Sequence, residues 1–384
     1  MLRLLSFCAT FILATSACAD DKPKPNTLTQ KEIADGWILL FDGESTYGWS
    51  SEKNSEDKKA ELTAKNGTLS MAGKGQYVSF GTRFQYFELN GEYRTSTKEN
   101  GISIASEILI APQLKRTEGG VWKKIHARMT AEKGAQKATV WTEDYDKITP
   151  VQIQGDHWVW VIKCHLSQEE ESQLELRNLK LRPLETKPLF NGKDLDGWSV
   201  NKADPKRMAS KWEATKEGEL SLKNGPGDLV SEKEFDNFVL QVECKTLGEA
   251  LNSGVFFRNM PGQYQNGYEA QIQNSYKVGD RTKPIDFGTG AIYRRIPARK
   301  VVSNDNEWFT MTVVAEGKHI TTWVNGYQTV DWTDDRPADE NPRKGYRSAK
   351  GPLSLQGHDK TTDLLFRNIR IAELPVEKMP VEKK

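Results

Sequence analysis

An all-β chain of two tandem antiparallel β-sandwich (jelly-roll) domains is the fold class the sequence predicts, and three observations predict it. Short β-branched or aromatic runs recur, as in residues 238–244, 308–314 and 320–324, and Asn325-Gly326 after the third is a hairpin turn signal. No stretch of ten or more residues carries a convincing amphipathic helical period. The chain also says nearly the same thing twice, in the same order.

The first copy opens with Leu39-Leu40-Phe41-Asp42-Gly43 and Gly48-Trp49, the second with Pro188-Leu189-Phe190-Asn191-Gly192 and Gly197-Trp198. Gly67-Thr68-Leu69-Ser70 then answers Gly218-Glu219-Leu220-Ser221, and Asn100-Gly101-Ile102 answers Ser253-Gly254-Val255. Leu176-Arg177-Asn178-Leu179 and Phe366-Arg367-Asn368-Ile369 close the two copies. Trp49 and Trp198 stand in both, so packing is their expected role.

In chain order, Met1-Leu2-Arg3, an apolar run too short to span a bilayer and Ala17-Cys18-Ala19 read as a signal peptide over residues 1–19. That reading implies an exported, periplasmic or secreted protein, with lipid anchoring at Cys18 as the alternative. Residues 20–31 read as a flexible leader, 32–184 as the first sandwich, 187–374 as the second, and 375–384 as a disordered tail. Cys164 and Cys244 lie in strand-like runs of different copies and are expected as two separate buried thiols. With 384 residues, 54 Lys+Arg against 53 Asp+Glu and a net charge of +1, no polyanionic partner is indicated, and no nucleic acid. Nothing else is long and apolar enough for a transmembrane helix.

The copies differ in one place. A much longer segment separates Phe257 from Trp308 than Ile104 from Trp122, and it holds Gly267-Tyr268-Glu269-Ala270-Gln271-Ile272-Gln273 and Thr289-Gly290-Ala291-Ile292-Tyr293. As a strand, 268–273 puts Tyr268, Ala270 and Ile272 on one face and Glu269, Gln271 and Gln273 on the other. A carboxylate and two amides suit sugar hydroxyls, as donors and acceptors together. Arg258 is present only in the second copy, Ala105 standing in its place in the first, and Ser354, Gln356 and His358 share a strand face. Counting back from the Arg-Asn signature sets Gln168 opposite His358. The basic residues between Arg281 and Arg299 read as a solvated loop rather than a phosphate site.

Nucleophile elbows, Walker loops, His-Glu-x-x-His and Cys-x-x-Cys do not occur. The motifs that do occur, Asn252-Ser253-Gly254-Val255-Phe256-Phe257-Arg258, Gly267-Tyr268-Glu269-Ala270-Gln271-Ile272, Thr289-Gly290-Ala291-Ile292-Tyr293 and Gln356-Gly357-His358, resemble the 3-keto-disaccharide hydrolase domain family, a concanavalin A-like jelly roll. The first copy matches only its opening and closing motifs and reads as a degenerate copy.

The resemblance implies an exported enzyme cleaving 3-keto-glycosides, by C2 deprotonation, elimination and hydration, with a sugar 3-oxidoreductase acting upstream. Glu269 and His358 are then the expected catalytic pair, with Arg258, Gln271, Gln273, Tyr293 and Gln356 binding substrate. No cofactor is assigned; a divalent metal on His358 with Glu269 or Asp286 is the implied option. A non-catalytic carbohydrate-binding protein is the alternative.

Overall fold

The computed structural model describes residues 24–53, 58–96, 100–103, 117, 120–143, 151–154, 160, 162–168 and 172–375. The signal segment, leader residues 20–23, Ala105 and tail residues 376–384 lie outside them. Two antiparallel sandwiches follow one another, as the duplicated sequence requires. In the first, an eight-stranded sheet centred on Phe87–Thr95 and Ser172–Pro183 faces a four-stranded one ordered Trp49–Ser51, Tyr77–Phe80, Lys163–His165, Gly101–Ser103.

The second repeats the plan, with one strand more in its smaller sheet among the described residues. Its eight-stranded sheet is centred on Asp363–Glu373, Phe238–Thr246 and Phe309–Glu316. The opposing sheet has five strands, ordered Trp198–Val200, Gly227–Phe235, Gly351–Gly357, Ser253–Phe257 and Tyr268–Ile272. The fifth is the polar strand that marks the second copy. Tyr268, Ala270 and Ile272 point into the core between the sheets, as the period of two demands.

Trp49 and Trp198 do the same work in each sandwich: both are buried, and their indole N–H groups donate to the carbonyls of Leu40 (2.6 Å) and Leu189 (3.1 Å). Asn325 and Gly326 both take positive φ and join His319–Val324 to Tyr327–Thr333, the hairpin the dipeptide foretold. Cys164 and Cys244 are buried, unpaired thiols; burial pushes Cys164 up to about 12.

The leader differs from expectation over its described residues. Asn26 is buried and trades two bonds with Asn178, each backbone N–H donating to the other's Oδ1 at 2.7 Å. Thr29 caps a short helix, Gln30–Ala34. Two fixed amides and a capped turn hold residues 24–31 against the first sandwich, where composition alone suggested freedom.

The outer face of the second sandwich's large sheet is covered by the first. Val239, Val314 and Trp323 belong to the first sandwich's core cluster, and the Trp323 indole donates to the Leu39 carbonyl at 3.0 Å. Arg299 pairs with Asp42 at 2.8 Å, and Arg83 bonds Glu316 at 2.9 Å, across the same seam. The five-stranded sheet, turned away from this seam, carries the candidate site.

Candidate active site

Strand register builds the floor of the site. Asp228 lies opposite Gln356, Gly254 opposite Gln271 and Phe256 opposite Glu269, so these side chains share the outer face while their neighbours fill the core. A cavity of about 520 Å³ opens over that face, lined by Glu269, Gln271, Gln356, His358 and Tyr293 among others. The strand edge is covered by the second diagnostic segment, since Tyr293 N–H donates to the Glu269 carbonyl at 2.9 Å and Gln271 N–H to the Ala291 carbonyl at 3.0 Å. Gly254 is required here, because a Cβ would stand 2.5 Å from Glu269 Oε1.

Glu269 is 8% exposed, and burial, then the negative charges of Asp286 and Asp228, push its carboxyl up to about 8. It is therefore mainly a neutral acid at pH 7. Gln271 donates from Nε2 to the Asp286 carbonyl and Oδ2, at 3.1 and 3.2 Å. Its Oε1, like that of Gln356, is buried and has no partner among the described residues. A buried amide oxygen left in this state lacks a bond worth about 1–3 kcal/mol, which a ligand hydroxyl would restore.

His358 stands at the cavity wall with Nδ1 2.9 Å from Asp359 Oδ2. Bonds from Thr361, then His358, hold Asp359 down at about 2, so it remains a carboxylate and can only accept. Nδ1 of the neutral imidazole accordingly carries the proton, leaving the lone pair on Nε2.

Two expected binding residues are elsewhere. Arg258 is wholly buried at a positive φ, where the chain leaves the Ser253–Phe257 strand. Its guanidinium donates to the carbonyls of Asp236 (2.7 Å), Gly317 (2.7 Å) and Arg347 (3.2 Å) and to Asn237 Oδ1 (3.2 Å). It is a loop clamp, not a ligand for substrate. Replacing it by methionine is expected to lower unfolding free energy by about 3 kcal/mol or more, because four acceptors, three half-buried and one buried, lose a charged donor. Urea unfolding would measure that; a raised KM with unchanged stability would return Arg258 to the site. Gln273 shares the strand's polar side but is spent on Ala250 (3.2 Å) and Ser275 (2.8 Å) and does not line the cavity.

Register also corrects the match between copies. Tyr77 pairs with His165 as Asp228 pairs with Gln356, which places Ser167, not Gln168, opposite His358. The return to the Arg-Asn signature is one residue longer in the first copy, so counting back slips by one. The same register exposes a residue the sequence reading missed: Asp228, wholly buried, pushed up to about 6 by desolvation, and bonded to Gln265 at 2.9 Å. Tyr77 in its place in the first copy was the available signal.

Two of the residues named for a metal are engaged with neighbouring side chains. Asp286 is bonded to Asn252 (2.7 Å) and Gln271, and His358 to Asp359. No group of three or more His, Cys, Asp or Glu side chains is placed to hold a metal ion among the described residues.

A family model described as the 3-keto-alpha-glucoside-1,2-lyase-like domain matches residues 36–159 and 185–372. The chain belongs to that family. The match takes in most of the first sandwich, short of its strands Lys163–His165 and Ser172–Pro183, and nearly all of the second, and membership supports a role on carbohydrates. Among solved structures it is similar to two described as candidate glycosyl hydrolases from Parabacteroides distasonis. One has 22% identity over 49% of this chain and 94% of its own, with a TM-score of 0.40; the other has 26% over 50% and 100%, with a TM-score of 0.39. A carbohydrate-binding module from Bacillus subtilis is 17% identical over 45% of this chain and 93% of its own, with a TM-score of 0.30. No match is found among curated proteins. No helix among the described residues is long and apolar enough to cross a membrane.

Proposed function

We propose that the second sandwich cleaves 3-keto-glycosides. The observation that carries this reading is the meeting, in one polar cavity, of a protonated buried carboxyl at Glu269 and an imidazole oriented by Asp359 at His358. A 3-keto group acidifies the hydrogen on C2, so a modest base suffices to remove it. His358 Nε2 takes that proton, and the electron pair forms an enolate on the C3 oxygen, to which the Gln356 amide donates. The enolate collapses to a C1–C2 double bond as the C1–O bond breaks, and Glu269 gives its proton to the leaving oxygen. Water then adds its hydroxyl to C1 and a proton returns to C2 from His358, while Glu269 regains a proton from the water. The net change is hydrolysis.

The first sandwich lacks the fifth strand among its described residues and serves as scaffold. Substrate must come from an oxidoreductase that makes the 3-keto sugar, and export through residues 1–19 would place both steps outside the cytoplasm. Release of 4-nitrophenol from its 3-keto-glucoside, with none from the unoxidised glucoside, is the expected result, with and without chelator. The unpartnered Gln271 and Gln356 oxygens favour a second reading, a protein that grips glycans without cleaving them. Glycan binding with no release would establish that reading and end the first.

A further inference from the structure

The rim of the cavity is richer in positive charge than the chemistry above requires. Arg207, Arg294, Arg295 and Arg343 all line it, together with His358. Arg207 is answered by Asp204 at 3.3 Å and stacks 4.4 Å over Tyr264. The other three have no carboxylate partner among the described residues.

Their positions are nonetheless fixed. Arg295 donates to the carbonyls of Pro342 and Arg343, at 3.2 and 2.9 Å, and Arg343 to that of Gln265 at 2.6 Å. Arg294 lies 5.3 Å over the Tyr293 ring. Carbonyls and rings orient a guanidinium without neutralising it. Glu269 feels the charges of Arg294 and Arg343 but is mainly protonated, and the other nearby carboxylates are engaged: Asp334 with Arg336 at 2.8 Å, Asp359 with His358, and Asp286 with Asn252 and Gln271. Within the basic stretch 281–299, Arg281 bonds Val301 and Ser303 and Arg299 pairs with Asp42, so only Arg294 and Arg295 of its arginines turn to the cavity. Tyr264, Tyr293 and Phe256 supply flat apolar faces beside this charge, as a pyranose ring would need.

We propose that the sugar taken by this cavity carries an anionic substituent, a carboxylate or a sulfate or phosphate monoester, received by Arg294, Arg295 and Arg343. The inference rests on the sugar-directed reading of the site and names its substrate class. Guanidinium forks match such groups bidentately, and partial enclosure by the cavity lessens screening by salt.

Titration calorimetry on the full chain separates the sources, using methyl β-glucuronide, glucose 6-sulfate, glucose 6-phosphate and methyl β-glucoside as probes. At least one charged probe is expected to bind about tenfold or more tightly than the glucoside, with the gap narrowing as salt is added. The double variant Arg294→Gln/Arg343→Gln should erase the preference, whereas Arg343→Lys, which keeps the charge, should retain part of it. Equal or weaker binding of every charged probe would overturn the inference, as would a preference the double variant leaves intact. Because this readout needs no turnover, preference for a charged probe without cleavage of any 3-keto-glycoside would keep the anion site and remove the reaction. Cleavage with a neutral preference would do the reverse.

Discussion

Glu269→Gln is expected to lower kcat for glycoside release by ~10³-fold or more while making the protein more stable at alkaline pH. The two effects share one cause. In the folded chain the carboxyl holds its proton to about 8, against 4.5 for an unperturbed glutamate. Below pH 4.5 both folded and unfolded chains are protonated, and Glu269 leaves stability unaffected. Between about 4.5 and 8 the unfolded chain ionises while the folded chain does not, so the native state binds more protons and stability falls as pH rises. Glutamine removes that slope, and the gain at pH 9 is on the order of a few kcal/mol. Thermal melts of both proteins from pH 4 to 9 would show it. A variant that loses activity but gains no alkaline stability would mean that Glu269 is not buried as a neutral acid.

Asp359→Asn is expected to cost ~10²-fold or more in kcat with little change in KM, since an amide can donate to Nδ1 and move the imidazole proton to Nε2, where the lone pair is needed. His358→Ala should lose at least as much. Proton exchange separates the two roles. In D2O the wild type should wash deuterium into C2 of the 3-keto sugar, and Asp359→Asn should slow that exchange as much as release. Glu269→Gln should keep exchange and lose release. Exchange surviving in His358→Ala would assign the base elsewhere. The wild-type rate should also fall above about pH 8, as the acid is lost.

The fold and the fifth strand were legible because their signals are local and repeated. Period-two alternation sets which face of 268–272 enters the core, and the second copy supplied an internal control for what the scaffold needs. Glu269, Gln271, Gln356, His358 and Tyr293 were found on that basis and share one cavity. Arg258 was misplaced because strand adjacency cannot show where a side chain goes once φ turns positive at the strand's end. Asp228, Asp359 and Arg343 escaped notice, and Arg294 and Arg295 were read as part of a solvated loop, for another reason. Their meaning comes from what the folded chain brings beside them: Gln265 at Asp228, the imidazole at Asp359, a cavity mouth at Arg294 and Arg343. The leader misled through composition, since polar, proline-containing residues can be held by a few fixed amides such as Asn26.

The seam between the sandwiches has a historical meaning. When a gene doubles, one of the two copies is ordinarily free to decay and vanish. Here Trp323, Val239 and Val314 of the second copy lie in its sibling's interior, and the Trp323 indole leans on a carbonyl of Leu39. Deleting the sibling would strand an apolar sheet face in water. Shared burial thus acts as a ratchet: each copy became indispensable to the other by being packed against, whatever else it does.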